Sequence, residues 1–183
     1  MKKVIAIVGM CGSGKSIASD ILVEKGYEKV YFGGVTMEKL KEANLEVNPE
    51  NEKMMREKLR ADLGMGAFAK ILLPRIKEYA KNKNVVLDGL YSWDEYQIIE
   101  EKLKENLSVI AIVADKNLRY SRLEQREIRP LSFEEAKARD LAEIENIRKA
   151  PPIAYADYYV LNNGTLEEYK SRLEEIIKEI EEK

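Results

Sequence analysis

Residues 9–16 read Gly-Met-Cys-Gly-Ser-Gly-Lys-Ser and follow the aliphatic run Val4 to Val8. The octamer fits the pattern GxxxxGK[ST] through Gly9, Gly14, Lys15 and Ser16, with Gly12 as an additional glycine. Glycines let a loop wrap with its N–H groups turned inward, where they and the positive end of the following helix solvate phosphate oxygens. Lys15 is then expected to reach the β and γ phosphates of a nucleoside triphosphate, and the Ser16 hydroxyl to bind Mg²⁺. The motif needs a buried strand before it and a helix after it, and both are legible. It therefore predicts a nucleotide site from Gly9, Met10, Cys11, Gly12, Ser13, Gly14, Lys15 and Ser16, with Ile17 in the first helical turn.

Continuous aliphatic runs mark buried strands of a parallel sheet at Val4–Val8, Val85–Leu87 and Val109–Ala114, with weaker candidates at Lys29–Phe32 and Tyr158–Leu161. Helical patterns lie between them. Ile17, Ile21 and Leu22 share a face that Gly26 terminates. Asn48 and Pro49 read as a helix start, followed by Met55, Leu59 and Leu63 at four-residue spacing. Ser132 with Glu135, and Thr165 with Glu168, form capping boxes. The final helix aligns Leu166, Tyr169, Leu173, Ile176 and Ile180 on one side. Strands alternating with helices imply a helix-covered parallel sheet in one domain over 1–183. Residues 36–83 break the alternation with two or three successive helices, interrupted by Gly64, Gly66 and Pro74. Such an insert is expected to fold over the carboxyl edge of the sheet, where ligands bind in open α/β folds.

A second marker is VVLDGLYSW, residues 85–93. A buried strand ending in an acid sets Asp88 at the carboxyl edge, where it can hold Mg²⁺ or orient an attacking group. Asp-Gly also makes an ordinary turn. Tyr91 and Trp93 are either stacking surfaces for a ligand or packing between helix and sheet. Residues 117–140 carry Arg119, Arg122, Arg126, Arg129 and Arg139. At helical spacing the first three share a face, either laced to Glu124 and Glu127 or gathered around a phosphoryl group. An arginine in the second position is worth ~10³ to 10⁵ in rate. Residues 127–132, with Pro130 ahead of a capping box, suit a short lid that excludes water. Arg56 and Arg60 on the insert are candidate clamps for an acceptor phosphate, although Glu52 sits four residues before Arg56.

Composition excludes other chemistry. The chain has no histidine, so Ser-His and Cys-His nucleophile pairs and imidazole metal sites are ruled out. A formal charge of -2 gives no pull toward nucleic acid or acidic membranes. The single cysteine, Cys11, forms no internal disulfide and suits a reducing compartment, so the expected location is cytoplasmic. The start MKKVIAIVGMCG imitates a signal peptide but runs into a charged helix, and no stretch nears the ~20 apolar residues of a membrane span.

Together these blocks resemble the small P-loop kinases, the group of nucleoside monophosphate kinases and dephospho-CoA kinase. The resemblance spans GMCGSGKS, the helical insert, VVLDG, RLEQR and the closing ADYYVLNNGTLEEY. The last two blocks are most similar to dephospho-CoA kinase and its relatives. The resemblance implies a three-layer α/β/α P-loop NTPase fold with five parallel strands in the order 2-3-1-4-5, and a Mg²⁺-dependent transfer of phosphoryl from ATP to a nucleotide-like small molecule. It implies that Arg122 and Arg126 hold adenine and phosphates, and that the loop Asn162–Thr165, including Asn163, borders the adenine. Lys15, Asp88, Arg126 and Arg139 are then the catalytic candidates, and Gly34, Arg56, Arg60 and Tyr91 the acceptor-binding ones. Two features leave the branch open. Dephospho-CoA kinases carry an acidic pair after the second strand, where this chain has Gly33 and Gly34; a ribose hydroxyl needs an acid-base partner to shed its proton, so the missing carboxylate tilts toward a nucleotide phosphate acceptor unless Asp88 or Glu38 substitutes. Nucleoside monophosphate kinases often place an arginine after the DG, where this chain has Leu90, Tyr91 and Ser92. A nucleotide-binding regulatory protein that has lost turnover is the alternative of another class. The oligomeric state is not legible in the sequence.

Overall fold

The structure, a computed structural model, describes all 183 residues. Five strands, β1 (Val4–Val8), β2 (Glu28–Tyr31), β3 (Val85–Asp88), β4 (Leu107–Val113) and β5 (Tyr158–Leu161), form one parallel sheet in the order β2-β3-β1-β4-β5. This is the expected order. The strands alternate their side chains between two cores. Val4, Ala6, Val8, Val85 and Leu87 pack against α2 (Gly34–Glu42), α3 (Pro49–Leu63), α4 (Ala67–Tyr79) and α5 (Trp93–Leu103). Ile5, Ile7, Val86, Ile110, Ile112 and Val160 pack against α1 (Lys15–Glu24) and α9 (Leu166–Glu182). Burial on both faces is why β1, β3 and β4 read as apolar runs, while the edge strands β2 and β5, partly exposed, do not. Between β4 and β5 lie α6 (Lys116–Gln125), α7 (Phe133–Ile147) and the short α8 (Ala150–Ala154). No helix is long and apolar enough to cross a membrane.

Most helix ends follow the local code. Asn48 caps α3 through Asn51 N at 2.8 Å, with Pro49 at the first position. Ser132 and Thr165 form reciprocal boxes with Glu135 and Glu168. A third box, Ser92 with Glu95, starts α5; its Ser-x-x-Glu spacing stands in the sequence and was not singled out.

Several expectations need correction. Pro74 does not interrupt the insert; it lies inside α4, whose Leu72 and Ile76 are buried against the sheet. Their burial outweighs the one main-chain bond that proline removes. The insert's first helix starts at Gly34, two residues earlier than expected. Leu63 and Leu166 do not join the buried stripes of their helices: both sit at helix ends and are exposed. Trp93 is a packing residue, stacked on Tyr96 at 5.0 Å between ring centroids and edge-on to Tyr155.

Candidate functional site

β1 occupies the centre of the sheet, so the loop after it opens at the middle of the carboxyl edge. Register sets Ile7 opposite Asp88 and Asp88 opposite Tyr31, which brings the ends of β1, β3 and β2 side by side. The loop is tied by its carbonyls. Arg119 Nη1 donates to Cys11 O at 2.8 Å, Asn162 Nδ2 to Ser13 O at 2.8 Å, and Tyr169 Oη to Gly14 O at 3.0 Å. Lys15 Nζ donates to Met10 O at 2.8 Å. Gly12 and Gly14 have φ of +79° and +102°; a Cβ on Gly12 would lie 2.7 Å from Arg119 O, and one on Gly14 would collide with Asn162 Nδ2. The neighbours therefore press against the loop so closely that only glycine fits.

In front of the loop lies a cavity of about 750 Å³, lined among others by Lys15, Ser16, Asp88, Tyr91, Arg122 and Arg126. Beside it is a smaller cavity of about 230 Å³ formed by Gly14, Ile17, Arg122, Asn162, Gly164 and Leu166. Arg122 belongs to both walls. Its Nη2 reaches Asn162 Oδ1 at 3.4 Å, while its Nη1 is buried without a partner, as is Ser13 Oγ. Burial, and after it the neighbouring Lys149, push the Lys15 ammonium down to about 7. A buried guanidinium nitrogen without an acceptor and an ammonium held below its ordinary range have the same physical remedy, which is an incoming anion.

The candidate residues are not all brought together. Asp88 reaches the cavity but is ion-paired with Lys29 at 3.0 Å, a partner that β2 supplies. The shared face of Arg119, Arg122 and Arg126 does not form. Arg119 is buried in a bidentate pair with Asp140, at 2.6 and 3.1 Å, and Arg126 lies beyond the end of α6 in extended backbone, its Nε on Arg129 O at 2.7 Å. Arg139 is not on the cavity wall; its Nε binds Glu143 at 3.1 Å. Asn163 does not face either cavity, because its Oδ1 accepts from Asp115 N; its neighbour Asn162 lines the smaller one. Gly34, Arg56 and Arg60 are also absent from the cavity wall. Arg56 pairs with Glu52 at 3.3 Å, and the Arg60 guanidinium lies over the Phe68 ring, 5.5 Å from its centroid. Tyr91 does line the cavity, and burial raises its phenol above the ordinary range.

Sequence reasoning missed three groups. Lys149 is buried, bonds Glu143 at 2.6 Å and sits over the Tyr91 ring at 4.8 Å. Burial works against the ionised Glu143, but Lys149 and then Arg139 hold its carboxyl below the usual range. Glu52, in the first turn of α3, is buried and binds both Arg56 and Arg129, the latter from the segment between α6 and α7. Lys29 reads in the sequence as one more exposed strand lysine. Of the pairings these three groups make, only Glu52 with Arg56 leaves a local signal, its four-residue spacing; the burial of Glu52 and the other pairings depend on how separate elements pack.

Comparison with known proteins bears on the family and the fold. The sequence profile of a family described as the AAA domain matches residues 5–147, from β1 to the end of α7. A UPF0200 protein of Sulfurisphaera tokodaii is 37% identical, with 97% of each chain covered, and one of Thermococcus onnurineus is 33% identical with the same coverage. Among solved structures, TT1252 from Thermus thermophilus superposes with a TM-score of 0.64 at 20% identity over 97% of both chains. Shikimate kinase from Bacteroides thetaiotaomicron does so with a TM-score of 0.57 at 14% identity over 98% of both. These structural likenesses show the P-loop kinase fold.

Proposed function

The chain belongs to the AAA domain family and to the UPF0200 proteins, and we propose that it is an ATP- and Mg²⁺-dependent phosphotransferase acting on a nucleotide-like small molecule, of the dephospho-CoA kinase kind. The observation that carries this reading is the set of cations around the glycine loop that lack a counter-charge. Lys15 and Arg126 rest on main-chain carbonyls, and Arg122 keeps a buried nitrogen with no acceptor. A polyphosphate supplies what all three lack. Ser16 and Asp88 offer one hydroxyl and one carboxylate, the sparse protein donor set that suits a Mg²⁺ ion carried in by phosphates. Bound there, the ion would neutralise charge on the phosphates.

The chain's own residues do the rest. Loop amides and Lys15 hold the β and γ phosphates, while Arg122 spans the phosphate cavity and the smaller one, where the base would lie. In the transfer an oxygen of the acceptor forms a bond to the γ phosphorus as the β–γ bridging P–O bond breaks, its electron pair leaves on ADP, and where that oxygen is a hydroxyl its proton passes to the carboxylate of Asp88 on the cavity wall. Charge then spreads over the moving group and the leaving oxygen, where Lys15 and Arg126 are placed to stabilise it. Residues 127–132, between α6 and α7, serve as the lid, and the helices of the insert receive the acceptor.

The test is a coupled-product assay with ATP and Mg²⁺ against dephospho-CoA and a panel of nucleoside monophosphates. Product is expected with one acceptor and is expected to fall at least ~100-fold in Lys15→Ala. Calorimetry that found no uptake of ATP or ADP by the folded protein would refute the reading.

A further inference from the structure

The cations around the cleft fall into two groups by what they touch. On the loop side they meet neutral groups: Met10 O, Arg129 O and the Asn162 amide. Elsewhere, in the insert and on the elements beside the loop, they meet carboxylates. Lys29 has Asp88, Arg139 and Lys149 share Glu143, Arg75 has Glu38, and Arg56 and Arg129 share Glu52. Not every cation of the insert has a carboxylate: Lys70 rests on Leu63 O, and Arg60 has its Nε buried without a partner and its guanidinium over the Phe68 ring.

Glu52 stands out in this set. Its side chain is 7% exposed, and its two oxygens serve arginines from two elements, Oε2 for Arg56 of its own helix at 3.3 Å and Oε1 for Arg129 of the lid at 3.1 Å. The first turn of α3 favours a negative charge at this position. A carboxylate buried so far cannot leave its partners without becoming an unpaired buried charge.

We propose that Glu52 is a specificity-determining residue that turns the insert away from phosphate monoesters and toward an acceptor offering an uncharged hydroxyl group at that place. This rests on the phosphotransferase reading above, with the insert as the acceptor site. A phosphate dianion brought to Arg56 or Arg129 meets an ionised carboxylate that already holds both guanidinium groups, and it must either sit against that charge or expel it. A hydroxyl donates to Glu52 and accepts from Arg56 with the pair intact. The chain thus carries on α3 the arginine that would clamp a phosphate, together with the group that neutralises it.

Calorimetry on protein saturated with ADP and Mg²⁺ tests the assignment, because the nucleotide site is then filled. AMP, CMP, GMP and UMP are the phosphate-monoester probes, with their nucleosides as uncharged controls. Glu52→Gln is expected to bind at least one monophosphate tenfold or more tighter than the wild type, with nucleoside affinities unchanged, and E52Q combined with R56Q is expected to lose the gain. Equal monophosphate affinities in wild type and E52Q would overturn the proposal, as would efficient phosphorylation of any monophosphate by the wild type. Should E52Q fail to fold, Arg56→Gln alone decides: unchanged monophosphate affinity supports the assignment, and a tenfold loss shows that Arg56 already serves a phosphate and overturns it. Absence of ADP binding to the wild type would instead remove the phosphotransferase reading and this one with it.

Discussion

Two sets of cations in the molecule are held by opposite rules. Around the glycine loop, the carbonyls of Cys11, Ser13 and Gly14 are held by Arg119, Asn162 and Tyr169, while Lys15, Arg122 and Arg126 stand without a carboxylate. Elsewhere, Lys29, Arg56, Arg129, Arg139 and Lys149 are matched to Asp88, Glu52 and Glu143. Unmatched buried charge is costly, and a fold tolerates it only where the surroundings fix it in place and a ligand completes it. On the proposed reading a polyanion completes the loop, and the matched pairs of the insert leave it to select an acceptor by hydrogen bonding and shape.

Three perturbations probe this contrast, and the largest concerns the arginine that crosses it. Arg119 sits behind the loop yet is matched to Asp140, so Arg119→Ala should act on folding, with a loss of about 3–5 kcal/mol in chemical denaturation. An unchanged denaturation midpoint would place Arg119 among the free cations and blur the division. Next is Arg122→Ala, which should lower ADP affinity about 10–100-fold in calorimetry while leaving the melting temperature the same or higher, since an orphaned donor disappears. A destabilised variant with full affinity would mean that Arg122 is structural.

The smallest effect concerns a buried acid at the head of α5. Burial pushes the Glu95 carboxyl up to about 7, despite the hydrogen bonds it accepts from Tyr91 N and Ser92 N and the nearby Arg60. The folded protein therefore holds this proton more tightly than the unfolded chain. The stability it contributes is complete below the ordinary carboxylate range, near pH 4.5, and is lost as pH rises through 7. Glu95→Gln keeps the capping geometry and should flatten that decline, gaining on the order of 1 kcal/mol at pH 8. Melting temperatures from pH 5 to 8 that fall equally in both proteins would show that Glu95 is not the group responsible.

How much was legible varied with the range of the interaction. The phosphate loop, the strands and most helix caps are local, so GMCGSGKS, the apolar runs and Ser132 with Glu135 could be read directly. Helical spacing put Arg119, Arg122 and Arg126 on one face because it assumed that α6 continues; the helix ends at Gln125, and Asp140 of α7 claims Arg119. Similarly, Asn163 attracted attention while Asn162 binds the loop. In β5 and the turn after it, one residue decides whether a side chain points at the loop or away.

From its residues alone the chain specifies a strand, a glycine loop and a helix that cradle an anion, because that device depends on backbone conformation and on residues adjacent in sequence. It also specifies a doubly covered parallel sheet, through unbroken apolar runs. Which cations remain free for a ligand is decided only by tertiary structure. Lys29 meets Asp88, Arg129 meets Glu52 and Arg119 meets Asp140 across elements far apart in the chain. Charge pairing falls off within a few ångströms, so packing, and not sequence spacing, settles which arginine has a partner.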